Sequence, residues 1–127
     1  MTDAVTAAEK AIFAALTVAV DWDVYQHVPQ DTPPPVVIIG DMIANPIGVK
    51  DDPDRQINLQ ILTVFQGEER KAVTDRQQMI RDALDGITLS ETGFSITSNE
   101  TSARAELMED GETYLGTSNF TVWALAA

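Results

Sequence analysis

Three consecutive prolines, Pro33, Pro34 and Pro35, restrict this chain more than any other feature. Proline has a fixed φ and no backbone N–H, so the run cannot lie inside a helix or donate to a sheet ladder. It is a stiff extended approach to Val36-Val37-Ile38-Ile39, an apolar, β-branched run that stops at Gly40. The spacing predicts one buried strand from Pro35 to Gly40. No residue between Tyr25 and Asp41 joins an evident catalytic constellation.

At 127 residues the chain is long enough to bury a core without staples, and a single domain over 1–127 is expected. It has no cysteine, which removes disulfides, thiolate metal sites and thiol nucleophiles. Asp3 stands where a signal peptide would place Lys or Arg, and the apolar run from Ala11 to Val20 is too short for a bilayer. Manufacture in the cytosol is therefore expected, with no membrane partner. Twenty acids against eight bases give a net charge of −12. Such a surface repels nucleic-acid phosphates, and no basic stripe offsets it.

Periodicity divides the chain into six main elements. Val5, Ala8, Ile12 and Leu16 recur at helical spacing and predict a helix from Thr2 or Asp3 to Thr17. Thr2 is a candidate cap, and Thr6 with Glu9 has capping-box spacing. Val24 and Tyr25 suggest a short extended piece before the prolines. After the strand ending at Gly40, a long connection is expected from Asp41 to Asp54, carrying Pro46, Gly48, Pro53 and four aspartates. A second strand follows from Arg55 to Gln66, with Ile57, Leu59, Ile61 and Phe65 on one face. A second helix opens with Glu68 and Glu69 in its first turn and stops at Gly86. Ile87 to Leu89 is a short extended piece. Phe94 to Leu107 reads as a third strand with a bulge near Asn99-Glu100, and Asp110-Gly111 marks a hairpin turn into a fourth strand ending at Leu125.

The economical packing is α+β: an antiparallel sheet of about four strands with two helices on one face, in the order α-β-β-α-β-β. Leu62, Val64, Trp123 and Leu125 then fall on the other face, where no third helix exists to cover them. They are candidate subunit-interface residues. Arg76 and Arg104 are scarce cations in an acidic chain and join them as candidates for ion pairs between subunits, although pairs within the chain satisfy the same residues.

The residues point to no catalysis, cofactor or metal. His27 is the only histidine and stands two residues from Pro29. No phosphate-binding glycine loop or nucleophile elbow is present. Asp21-Trp22-Asp23 and Asp51-Asp52-Pro53-Asp54 offer oxygens, yet the second run lacks the glycine and the terminal glutamate of a calcium loop.

Two stretches carry a family pattern. One is Val24-Tyr25, then Val28-Pro29-Gln30-Asp31, then the strand to Gly40-Asp41. The other is Asp110-Gly111 followed by Tyr114, Gly116 and Phe120-Thr121-Val122. Together they resemble the tail-completion or tail-terminator proteins of long-tailed phages and gene transfer agents. The resemblance implies a structural virion protein, not an enzyme, forming a homohexameric ring in the tail-neck region. That ring caps the tail tube, stops elongation and joins the tail to the head-side connector or stopper protein, while DNA passes the lumen without specific binding. The long connection becomes a candidate partner or lumen loop, with Asp41, Met42, Asn45, Lys50, Asp51, Asp52 and Asp54 as its residues. Here it begins Met42-Ile43-Ala44-Asn45-Pro46-Ile47, where the family usually has a polar, threonine-rich segment. Readings of a different class stay open: a small ligand-binding α+β module or a cone-shaped enzyme using Asp31 or Asp41 as a base, and an acidic adaptor or immunity-type protein that masks a basic partner.

Overall fold

The computed structural model describes residues 3–29, 31–48 and 52–126. Helix α1 spans Ala4–Ala19 and helix α2 spans Lys71–Leu84. The strands are β1 (Asp23–Tyr25), β2 (Val36–Pro46), β3 (Arg55–Gln66), β4 (Ile87–Glu91), β5 (Phe94–Leu107) and β6 (Thr113–Ala126). They form one sheet in the order β1-β2-β3-β6-β5-β4. β1 runs parallel to β2, and every other neighbouring pair is antiparallel.

The expected sheet of about four antiparallel strands, in the order α-β-β-α-β-β, is thus corrected to six strands in a mixed sheet. The two short extended pieces are the reason. Val24 and Tyr25 belong to β1, whose three residues pair with Val36 to Ile38. Ile87 to Leu89 belong to β4, which forms a hairpin with β5 through Thr92 and Gly93, both at positive φ. Two consecutive left-handed residues give the turn whose twist suits a hairpin, and Gly93 adopts that conformation without a Cβ penalty.

The connection after Gly40 is also shorter than expected. β2 continues to Pro46, paired with β3 down to Arg55. The register slips between Ile39 and Met42, where one extra residue enters β2. The slip turns Met42, instead of Asp41, toward the core side, opposite Leu59. Proline is tolerated at Pro46 because the strand ends there. A second slip lies between Glu100 and Ser102 of β5, one residue past the Asn99-Glu100 step expected to bend.

The core lies between the sheet and both helices. Ile12 and Leu16 of α1, Ile80 and Leu84 of α2, and Ile57, Leu59, Ile61, Ile96, Phe120 and Val122 of the sheet form one buried cluster. α1 comes close because its inner stripe is small: Ala4, Ala7, Ala8 and Ala11 are all buried. Its cap is Asp3, whose Oδ1 accepts from the Thr6 N–H at 2.7 Å. The Thr6-Glu9 spacing therefore does not mark the cap, and Thr2 lies outside the described residues. Glu68 and Glu69 precede α2 instead of occupying its first turn, because the helix begins at Lys71.

α2 rests on β6 at Gly116. A Cβ there would stand 2.5 Å from Val73 Cγ1 and 2.8 Å from Gln77 Nε2. Gln77 is itself buried and donates to the Arg104 carbonyl at 2.8 Å. Neither neighbour has room to retreat. Gly116→Ala is expected to cost about 1–3 kcal/mol by overpacking, read as a lower urea midpoint with an unchanged slope.

The Thr6 N–H and hydroxyl both hold the Asp3 carboxyl below its usual value, the backbone bond contributing most. A carboxylate with a depressed folded pKa stabilises above its unfolded pKa, and that contribution fades as pH falls through the folded value. Asp3→Ala should lower the melting temperature at neutral pH, and the gap from the parent should narrow on acidification below the usual carboxylate range. A gap that stays constant with pH would show that the cap acts without its charge.

Candidate assembly surface

The sheet face turned away from the helices is the most unusual surface of this acidic chain. Strand alternation sends Gln56, Asn58, Gln60, Leu62, Val64 and Gln66 outward along β3. On β6 it sends out Thr113, Leu115, Thr117, Asn119, Thr121, Trp123 and Leu125. None of these is charged, although the chain holds twenty acids. β5 adds Ser95, Thr97 and Asn99 before its register slip, and Ser102 with the ion-paired Arg104 and Glu106 after it.

The amides and hydroxyls of this face bond to one another. Asn45 Nδ2 donates to Gln56 Oε1 at 3.4 Å, and Gln56 Nε2 donates to Asn58 Oδ1 at 2.9 Å. Asn119 Nδ2 donates to Ser102 Oγ at 3.0 Å. A polar surface that already satisfies itself is cheap to desolvate compared with a field of carboxylates.

The four apolar candidates do not form one patch. Leu62 and Val64 are half-buried, pair with Ile38 and Val36, and lie beside Thr117 and Leu115. Trp123 and Leu125 are exposed at the far end of β6, and Trp123 pairs with Gln56. From Leu62 to Gln56 the strand runs about 20 Å. Asn58, Gln60, Asn119 and Thr121 fill that interval. Ile43, exposed on β2 and paired with Asn58, lies near the Trp123 end. The sequence reading missed it, because a loop was expected there and a loop has no faces.

The candidate loop residues also separate. Asp41 is exposed at the β2 slip and lines a shallow depression of about 310 Å³ with Ile43, Asn58, Gln60, Thr101 and Asn119. Met42 packs against the core, and Asn45 faces outward. Asp52 and Asp54 are tied to their own chain. Asp52 Oδ1 accepts from the Asp54 N–H at 3.0 Å, and Asp54 Oδ1 accepts from the Ala126 N–H at 2.7 Å. Arg55 Nη1 donates to both of their carbonyls at 2.7 Å. Lys50 and Asp51 lie outside the described residues.

The two candidate arginines differ. Arg104 is exposed on the outer face and pairs with Glu106 at 3.0 Å. Arg76 is mostly covered. Its guanidinium lies 4.3 Å from the Trp22 ring centre and makes a two-point contact with Asp21, at 3.0 and 2.9 Å. Trp22 in turn stacks on Phe65, centroids 5.5 Å apart and planes 10° from parallel. This stack fastens the end of α1 to α2 and β3.

Among the described residues no group of three or more His, Asp and Glu side chains is placed to hold a metal ion. No described helix is long and apolar enough to cross a membrane. His27 is exposed in the segment after β1.

A family model described as "Tail completion protein gp17" matches residues 3–125. The chain belongs to the tail completion protein gp17 family. Membership makes it a structural tail protein of a virion-like particle. The fold agrees with a chain from a solved structure titled "Virion of native gene transfer agent (GTA) particle". That chain is 16% identical, with a TM-score of 0.81 over 98% of each chain. No curated protein matches the sequence.

Arg76 allows a direct test of role. Arg76→Ala should destabilise the isolated chain by about 1–2 kcal/mol, through loss of the guanidinium–indole contact and the two-point ion pair. Unchanged unfolding with weakened self-association would instead make Arg76 a contact between subunits.

Proposed function

We propose that this tail completion protein assembles into a closed ring of six identical subunits that caps the finished tail tube, ends elongation and joins the tail to the head-side connector. The family match across residues 3–125 carries the proposal. The ring would assemble in the host cytoplasm and reside in the neck of the particle. Closing a ring requires two different surfaces on each subunit, so that each copy meets its neighbours head to tail. A contact of ordinary size covers about 800 Å² on each partner.

Charge supports the outer sheet face as one of these surfaces. Two copies at −12 repel each other, and the repulsion is least where the contact holds fewest carboxylates; the β3–β6 part of this face holds none, with Glu106 and Asp41 toward its margins. Depletion of charge around an exposed aromatic is the composition of an interface centre. Trp123 and Leu125 would lie in that contact, with Leu62, Val64 and Arg104 toward its other end. The segment from Asp41 to Asp54 would face the tube or the lumen. An acidic lumen wall lets DNA slide past because it offers phosphates no cation to hold.

Light scattering over a concentration series, with negative-stain imaging of the largest species, tests the ring. A closed homomeric ring is expected, alone or on addition of tail tubes. Trp123→Ala should shift assembly to higher protein concentration while the circular dichroism melt stays near that of the parent. A chain that remains monomeric with and without tubes overturns the proposal.

A further inference from the structure

The sheet ends in two open strand edges. β1 covers β2 only from Val36 to Ile38, so beyond the register slip Met42 to Pro46 pairs with β3 on one side and has no strand on the other among the described residues. At the opposite end, β4 pairs with β5 over Ile87–Glu91 and is the last strand of the sheet. An open edge presents backbone N–H and C=O groups to any strand that can align with it.

The two edges share three properties. β2 is uncovered from Ile39 to Pro46, and the regular stretch beyond its register slip, Met42 to Pro46, matches the 5 residues of β4. Met42-Ile43-Ala44-Asn45-Pro46 has no charge, and Ile87-Thr88-Leu89-Ser90-Glu91 has one, which Lys10 of the same chain meets at 3.2 Å. Neither edge carries the outward lysine that commonly keeps strand edges apart. Their direction agrees as well. Antiparallel steps from β2 through β3, β6 and β5 to β4 leave β4 pointing the same way as β2.

Rotation about an axis along the strands preserves strand direction. We propose that β4 of one copy docks beside Met42–Pro46 of β2 in the next, parallel to it and in line with β1. The docked strand continues the pairing that β1 begins. It brings the outward side chains Thr88 and Ser90 next to Ile43 and Asn45, so an uncharged stretch of the outer face runs on from one subunit to the next. Ile43, one of the most exposed large apolar residues of the chain, gains cover. The partner is a second copy of this chain, because the chain itself supplies both edges. This rests on the ring reading for closure and adds the strands that close it.

A chain without native cysteine suits a thiol test. Ile43→Cys and Thr88→Cys variants, both at exposed positions, are oxidised alone and mixed, with Asn45→Cys and Ser90→Cys as the next pairs along the edges. Melts by circular dichroism check that each variant folds. The mixture of a β2 variant with a β4 variant should give about tenfold or more covalent dimer than either alone, since adjacent strands hold the thiols at high effective concentration. A doubly substituted Ile43→Cys/Thr88→Cys chain should give a covalent ladder. Rings that form without any cross-link between the two edges overturn the docking and leave the ring standing. Cross-linking of Ile43→Cys alone overturns it in favour of a two-fold contact between β2 strands. Monomers throughout, with and without tubes, overturn both docking and ring.

Discussion

Everything in this fold is referred to one ladder. All 12 residues of β3 pair with β6 without a slip, from Arg55 opposite Ala124 to Gln66 opposite Thr113. Side chains alternate strictly along an unbroken ladder, so its register fixes which residues face the helices and which face out. Ile57, Leu59, Ile61, Phe120, Val122 and Ala124 are buried as one consequence. The uncharged outer face is the other. A slip of β3 by one residue would turn its faces over, placing Gln56, Asn58 and Gln60 in the core.

The flanking strands accept irregularity that the central pair does not. β2 and β5 each hold one extra residue, and each slip lies beside the strict pair. The helices are then seated by small residues. An alanine stripe admits α1, and Gly116 admits α2 where Val73 and Gln77 meet the sheet. Trp22, held between Phe65 and Arg76, locks the join. The helical side is therefore tightly specified, while the opposite side is left free to meet other chains.

Long elements with a clear period were legible in the sequence. The stripes of both helices, the alternation of β3 and the Asp110-Gly111 turn are each set by local pattern, and tertiary packing agrees with them. What escaped was short or out of phase. β1 and β4 were visible only as short extended pieces, and with three residues and five they are too short to reveal that they pair into the sheet. The outer half of β2 was hidden because the slip at Gly40-Asp41 breaks the alternation and Pro46 suggests a loop. The cap of α1 was expected at Thr2 or Thr6, and the folded backbone selects Asp3 between them. The candidate surface was legible by residue but not by arrangement. Leu62, Val64, Trp123 and Leu125 are on strands 3 and 6 as the alternation implies, yet their separation along the sheet depends on the antiparallel register, which no single strand records. Arg76 shows the same limit, since its contact with Trp22 joins residues far apart in the chain.

The extra residue in β2 also bears on how such a protein can change over generations. Beyond the slip, β2 runs only to Pro46 before the chain turns away, so the phase set at Gly40-Asp41 governs a handful of side chains. Losing or gaining one residue there reverses which way Met42, Ile43, Ala44 and Asn45 point and leaves the twelve-residue β3 ladder untouched. The outer hairpin is in effect a separately adjustable part. It can be refitted to a new neighbour by a single-codon insertion or deletion, a step that would be ruinous anywhere in the central pair.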